Sequence, residues 1–321
     1  MNPFRTALPL LAAVALGACS RAPDRAATAA PARAPEAARP APAAKDPSAL
    51  AEEAEAALDR GEAEQALAAA DAALGALDLH PRAPRGDRRL EVRLLVAAAG
   101  AENDLGRSDL ALPRAERAMR LDPRDSGAAW ERALALWELC RFDEAEAAFR
   151  KVLALSPQDP WALHHLGLAA ERRGDRRRAR ELMDKASRLA PQDFPPEVTI
   201  DAAGFAALVR STIAALPPPE RSALATVPLE LADLPKEEDL VATEPPLSPS
   251  LLGLFRGPSE GEACLPEDGP VCRSIVLYRK NLARFTHDRT ELAEQVKVTL
   301  LHELGHLHGE DDDALRRRGL E

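Results

Sequence analysis

Three of the seven histidines fall within one short run, Leu301-His302-Glu303-Leu304-Gly305-His306-Leu307-His308-Gly309-Glu310-Asp311-Asp312-Asp313. On a helix, residues four apart lie one above the other on the same face, so the imidazoles of His302 and His306 can reach one ion. Glu303, beside the first of them, is placed to take a proton from a water held by that ion, which is the chemistry of metal-assisted hydrolysis. A catalytic zinc needs a third protein ligand and an open position. Asp312, six residues past His306, is the candidate, and the expected cofactor is one Zn2+ ion. Because His-Glu-x-x-His also occurs in unrelated helices, the competing reading is a charged helix end whose histidines bind nothing. His308 faces elsewhere on a helix and reads as a solvent-exposed or substrate-facing group.

The element that must carry this motif is written upstream. Asp288 with Glu291 three residues later has the form of a capping box, and Leu292, Val296, Leu300 and Leu304 follow at helical intervals, which predicts one helix from Asp288 to about Leu307. Gly305 allows another segment to approach closely, and Gly309 has the residue type of a left-handed helix stop. That stop lets the chain double back with its run of acids. Ile275 to Tyr278 is apolar throughout, as expected of a buried strand, and a strand near the site could pair with an extended substrate backbone. Tyr278 reads either as a core residue or as an oxyanion donor.

The pattern His-Glu-x-Gly-His-x-x-Gly-x-x-Asp, ending in Asp312, resembles that of the small zincin-like metallopeptidases called minizincins. The likeness covers most of residues 204–318. Phe205 to Val209 and on to Leu216-Pro217 is similar to their opening helix, Thr226 to Leu231 to the next strand, Leu251 to Gly257 to their Leu-Gly-hydrophobic-aromatic-x-Gly segment, and Ile275 to Arg279 to the strand before the active-site helix. The resemblance implies that His302, His306 and Asp312 are zinc ligands and Glu303 the general base. Two departures bear on substrate preference: Leu307 stands where family members commonly carry a second histidine, and the segment from Cys264 to Cys272 is a local elaboration.

Ahead of this region runs a period of 34 residues. Pro123, Pro157 and Pro191 keep it, each closing a similar phrase, and Gly106, Cys140 and Gly174 keep it 17 residues earlier. Ala111, Ala145 and Ala179 do so as well. These three units resemble the tetratricopeptide repeat, a helix-turn-helix unit with small residues where its helices touch. A fourth, degenerate unit fits Ser48 to Asp78, separated by an insertion around His80 to Arg89. Neighbouring repeats share one continuous core and present a concave surface suited to a peptide or protein segment; the alternative is a rigid spacer. Trp130, Trp137, Phe142, Phe149 and Trp161 read as core rather than groove. Adjacent on a helix, His164 and His165 cannot chelate one metal.

Composition agrees with two architectures. The chain has 321 residues, 46% hydrophobic but only 3% aromatic, so alanine and aliphatic side chains carry its apolar content. That disfavours a β-sandwich or barrel and favours closely packed helices. No aromatic residue occurs between Phe4 and Trp130. Of the net charge of −10, residues 194–321 hold −9, with 13 Lys+Arg against 22 Asp+Glu. Lacking a basic stripe beyond the local run Arg172 to Arg180, the chain is not expected to bind nucleic acid.

At the N-terminus, Arg5 precedes an apolar run from Ala7 to Ala18, of signal-peptide rather than membrane-spanning length. Leu16-Gly17-Ala18-Cys19 resembles the bacterial lipobox, which implies lipidation at Cys19 and a lipid anchor as the membrane contact. Ser20 after it points, by enteric sorting rules, to the outer membrane facing the periplasm; an ordinary secretory signal is the alternative. Residues 20–46, mostly Ala, Pro and Arg, read as a disordered tether. Export would place Cys264 and Cys272, flanking a turn-rich segment, in an oxidising compartment where a disulfide between them is expected, two free thiols being the alternative. Cys140 is left over, and fits a small buried slot.

The expected organisation is a signal peptide over residues 1–19, a tether over 20–46, an α-helical tetratricopeptide-type solenoid over 47–193 and a small α/β zincin-like domain over 194–321. The expected function is an exported, lipid-anchored zinc metallopeptidase whose solenoid binds the peptide or protein substrate or an envelope partner. A repeat-based scaffold or chaperone-like protein with an idle metal domain, or a zinc hydrolase acting on a non-peptide amide, are the competing functions.

Overall fold

A computed structural model describes residues 46–78, 85–265 and 271–320. The leader with Cys19, nearly all of the tether and part of the insertion after Asp78 lie outside these described residues.

The first eight helices form four antiparallel hairpins: α1 (Pro47–Asp59) with α2 (Ala63–Asp78), α3 (Arg85–Asp104) with α4 (Ser108–Leu121), α5 (Ser126–Glu138) with α6 (Phe142–Leu155), and α7 (Pro160–Arg172) with α8 (Arg176–Leu189). The chemistry of the 34-residue period sets their boundaries. Asp125 and Asp159, each two residues after a repeat proline, accept from the backbone N–H groups of Ala128 and Ala162 and so start α5 and α7. The first helix of each hairpin ends at a left-handed residue, Gly61, Gly106, Cys140 or Gly174, with φ of 73°, 69°, 57° and 81°. Glycine adopts that conformation freely; Cys140 is the departure, held at a cost that its surroundings must offset. Ala111, Ala115, Ala145 and Ala186, buried where helices meet, allow the close crossings.

The aromatic cluster divides. Trp137 and Phe149 are core residues, 4% and 0% exposed. Trp130 and Trp161 are half-buried and, with an edge of the otherwise buried Trp137, line a concave groove of about 2500 Å³, so the expectation that all five aromatics are core holds only for part of the set. Each indole still packs one edge on the core while its other edge faces the groove, as its size and polar N–H permit.

Beyond the repeats come α9 (Ala202–Ala215), α10 (Pro218–Leu224), β1 (Leu229–Ala232), α11 (Glu237–Leu240), β2 (Gly253–Arg256), β3 (Ser274–Tyr278), α12 (Arg279–Phe285), α13 (Arg289–Leu307) and α14 (Asp312–Arg317). The strands form one sheet of order β1-β3-β2, with β1 parallel and β2 antiparallel to β3. This is a small α/β unit behind an α-helical solenoid. Ile275, Leu277 and Phe255 face the same cluster as Leu292, Val296 and Leu300 of α13, so one sheet face packs on the motif-bearing helix. Each of those three fully buried α13 side chains contributes about 1.5–3 kcal/mol.

The central position of β3 corrects one expectation. Both its edges are taken by β1 and β2, which leaves no backbone groups for a substrate strand. Continuous apolar composition marks a strand covered on both faces, and here that strand is also the middle one. Tyr278 is 0% exposed, and with Val276 it points to the sheet face opposite α13, beside the Arg256 guanidinium. It is a core residue and has no access to the histidines as an oxyanion donor.

Candidate metal centre

Helix α13 is fixed at its start by Asp288, whose carboxylate accepts from the N–H groups of Thr290 (2.7 Å) and Glu291 (2.9 Å). Glu291 reaches back to the N–H of His287, one residue earlier than the reciprocal bond of a capping box. After nineteen residues the helix ends at Leu307, and the chain turns at Gly309, φ 82°, where the Glu310 N–H bonds to the Gly305 carbonyl. The chain then turns into α14, capped by Asp311, and Asp312 is its first residue. A Cβ on Gly305 would run into the Leu315 side chain, so glycine there is what lets α14 lie against α13.

This turn brings Asp312 to the two histidines. The Nε2 atoms of His302 and His306 are 3.0 Å apart, and Asp312 Oδ1 stands 3.5 Å from the first and 3.3 Å from the second. A zinc ion holding such atoms at about 2.0–2.1 Å with tetrahedral angles requires separations of about 3.3 Å. The residues therefore fit zinc without rearrangement. Among the described residues these three are the one group of His, Cys, Asp or Glu side chains close enough together to share an ion.

Two main-chain carbonyls, invisible to a reading of side-chain types, complete the arrangement. His302 Nδ1 donates to Leu320 O (2.7 Å) and His306 Nδ1 to Glu310 O (3.0 Å). With the proton on Nδ1, each ring presents its Nε2 lone pair to the ion, and its orientation is fixed. Burial alone would lower the pKa of both histidines; the Asp312 carboxylate beside them, with Glu303, raises it instead. Both imidazoles hold Asp312 far below the usual carboxylate range.

Glu303 is 6% exposed, and burial pushes its carboxyl above the ordinary value. It accepts from the Phe255 N–H of β2. A Cβ on Gly253 would come within 2.9 Å of Glu303 Oε1, so glycine at that position lets β2 press against the carboxylate. Because the Tyr278 N–H bonds to Leu252 O, alternation along an antiparallel pair turns the Leu254 and Arg256 groups toward β3 and those of Gly253 and Phe255 outward. The free edge beside Glu303 thus belongs to β2.

The other singled-out residues lie apart from this centre. His308 is exposed and bonds to Glu260 at 3.0 Å. Leu307 is 2% exposed in the core. Cys264 and Cys272 are disulfide-linked with Cα atoms 5.8 Å apart, in a loop tied to the end of α13 by the Glu260 N–H on Leu307 O (2.7 Å). Cys140 is buried and free. His164 and His165 are enclosed by aromatic rings, His165 stacked on Phe149 at 4.7 Å and His164 on Phe194 at 4.5 Å. No helix among the described residues is long and apolar enough to cross a membrane.

Two family models match the chain. Residues 224–320 match the zincin-like metallopeptidase family, and residues 141–196 match the tetratricopeptide repeat. Cellulose synthase operon protein C of Pseudomonas fluorescens (strain SBW25) is 39% identical over 97 residues, which is 30% of this chain and only 8% of that protein. Among solved structures, YrrB, described as a TPR protein with an unusual peptide-binding site, is 23% identical, covering 46% of this chain and 70% of its own at a TM-score of 0.36. MamA from Desulfovibrio magneticus RS-1 is 25% identical over 46% of this chain and 78% of its own, with a TM-score of 0.35. The chain therefore carries tetratricopeptide repeats followed by a zincin-like metallopeptidase domain.

Proposed function

We propose that this protein is a zinc-dependent peptidase, exported and lipid-anchored through Cys19 in the bacterial envelope, whose repeats bind its protein substrate or an envelope partner. In this reading the repeats occupy residues 47–193 and the peptidase domain residues 194–321. The observation that carries it is the spacing of His302, His306 and Asp312, matched to one zinc ion, with a buried carboxylate beside them. Zinc bound there supplies a lowered water pKa, towards about 7, and polarisation of a scissile carbonyl.

The remaining chemistry falls to the chain's own groups. Glu303, its carboxyl raised above the ordinary value by burial, is placed to accept a proton and pass it to a departing amine. The outward backbone groups of Gly253 on β2 offer an extended peptide a strand to pair with, directly above Glu303. The acidic excess of residues 194–321 favours basic segments nearby.

Zinc analysis of the purified protein should give close to one ion per chain, and Asp312→Ala should lose most of it. Glu303→Gln should keep the ion and abolish cleavage of an unfolded protein substrate. A zinc-free wild type refutes the site; equal inactivity of wild type and Glu303→Gln across varied substrates favours the scaffold reading, to which the large groove also lends itself. The anchor is tested by whether Cys19→Ala releases the protein from membranes.

A further inference from the structure

The segment linking α11 to β2, residues 241–252, runs through the concave groove at the end of the repeat array. The Ser248 hydroxyl, hydrogen-bonded to Ser250 Oγ at 2.7 Å, faces the Glu138 carboxylate at the end of α5 and favours its charged form against burial. Leu247 O lies 3.6 Å from the thiol of Cys140, the residue that departs from glycine at the left-handed turn. Pro245, Pro246 and Ser248 line the groove together with Trp137. On its other side the segment is held by Asn281 of α12, whose amide donates to Pro249 O (3.0 Å) and Leu251 O (2.7 Å).

Helix α12 is itself clamped to the repeats. Glu171, near the end of α7, pairs with Lys280 at 2.8 Å and with Arg284, and all three side chains are no more than 20% exposed. Ion pairs this enclosed lose much when one partner is removed, because the other charge is left buried. Phe194 adds an apolar contact, packed on Trp161 and His164.

Directly after the segment the chain enters β2, whose Gly253 touches Glu303 and whose Phe255 N–H donates to it. Only Leu251 and Leu252 separate Ser250 from that strand. We propose that residues 243–251 are a strap through which the repeats act on the metal centre: seated in the groove, the strap braces β2 against Glu303, and its displacement from the groove releases β2. The consequence for catalysis rests on the peptidase reading above; the seating of the strap does not.

Cys140, 6% exposed under the strap, is a built-in reporter. The full chain would be treated with a maleimide without substrate, labelling at Cys140 being resolved from Cys19 by peptide mass spectrometry. Amide exchange over Gly253–Arg256 and zinc content would be read on the same samples. In the double variant Ser248→Ala/Glu171→Lys, labelling of Cys140 and exchange of β2 should both rise at least ~tenfold. Adding Lys280→Glu restores an opposite-charge pair with position 171 while leaving the Arg284–Glu197 pair in place, and should recover part of the protection, which separates a lost clamp from an unfolded α7. Ser248→Ala alone, the mildest change, should shift both signals in the same direction. Unchanged labelling in the double variant overturns the seated strap, and raised labelling with unchanged β2 exchange overturns the coupling. Either result is independent of zinc binding or of the Glu303→Gln comparison, on which the peptidase reading stands.

Discussion

Gly305→Ala sets two effects of known size against each other. In the interior of a helix, alanine is favoured over glycine by about 1 kcal/mol, so on local grounds the change stabilises α13. The new Cβ, however, meets the side chain of Leu315, which is fully buried on α14. Overpacking a filled site costs about 1–3 kcal/mol, so the metal-free protein should change by between about zero and 2 kcal/mol in the destabilising direction. Metal binding should respond far more. Asp312 is three residues before Leu315 on the same short helix, and a shift of about 1 Å would carry its carboxylate beyond the 2.0–2.2 Å reach of a zinc bond.

The expectation is a zinc affinity about 10- to 100-fold weaker, measured by chelator competition, with a small loss of stability in urea titrations performed in chelator. Adding Leu315→Ala should recover zinc affinity by removing the obstruction, although loss of that buried side chain itself costs about 2–5 kcal/mol. If Gly305→Ala is instead more stable by about 1 kcal/mol and binds zinc as the parent does, the close approach at Gly305 is not what places Asp312.

Deleting residues 320–321 removes the carbonyl that accepts from His302 and should weaken zinc binding by about 10- to 100-fold while the helical circular dichroism is retained; unaltered affinity would remove Leu320 from the site. Since Asp312 and Glu303 raise the metal-free imidazoles of His302 and His306 above their ordinary value, protons compete with zinc for the site, and the zinc affinity measured by chelator competition should fall as pH drops through the imidazole range; an affinity independent of pH contradicts this. His165, half-buried among aromatic rings and lowered to about 4 by desolvation, opposes acid in the repeats: its folded pKa lies below its unfolded one, so stability is intact above about pH 6.5 and falls as pH drops toward 4, by roughly 3 kcal/mol at most. His165→Phe should flatten that slope in pH-dependent thermal melts. Replacing Cys264 and Cys272 with serine frees a nine-residue loop and should cost about 2.6 kcal/mol on the loop-entropy estimate, read by urea unfolding of oxidised protein and variant.

The repeats and α13 were legible because their information is carried by side-chain type at fixed spacing. A 34-residue period of proline, left-handed turn residue and alanine states where helices start, stop and touch, and Asp288 followed by leucines four apart states the limits of α13. The spacing of His302 and His306 brings them together for the same reason. What the sequence did not disclose is carried by the main chain: the carbonyls of Leu320 and Glu310 that orient the imidazoles, and the Phe255 N–H on Glu303, belong to groups that every residue has. The place of β3 in the sheet is likewise not carried by side-chain type. An apolar run reports burial on both faces, and strand order depends on pairings set by chain connection rather than by composition.

The contact between the two architectures was hidden by a different cause. Glu171, Lys280 and Arg284 are each unremarkable in sequence, charged residues near helix ends that would ordinarily be solvated. They meet only because the chain returns from the sheet to the inside of the solenoid, more than a hundred residues after α7 begins. Yet one local sign was present. Cys140 occupies a position where the neighbouring repeats use glycine, and a side chain in a left-handed turn is retained only where something compensates its strain. The compensation lies outside the repeat, in the strap across its thiol. Cys140→Gly should therefore relax the turn and at the same time empty the slot beneath Leu247, so that the strap is held less firmly although the repeat itself gains a better turn residue. Faster amide exchange over residues 243–251 in a variant of unchanged or higher helix stability is the expected pairing, and equal protection of the strap would mean that Cys140 is a tolerated irregularity of the solenoid alone.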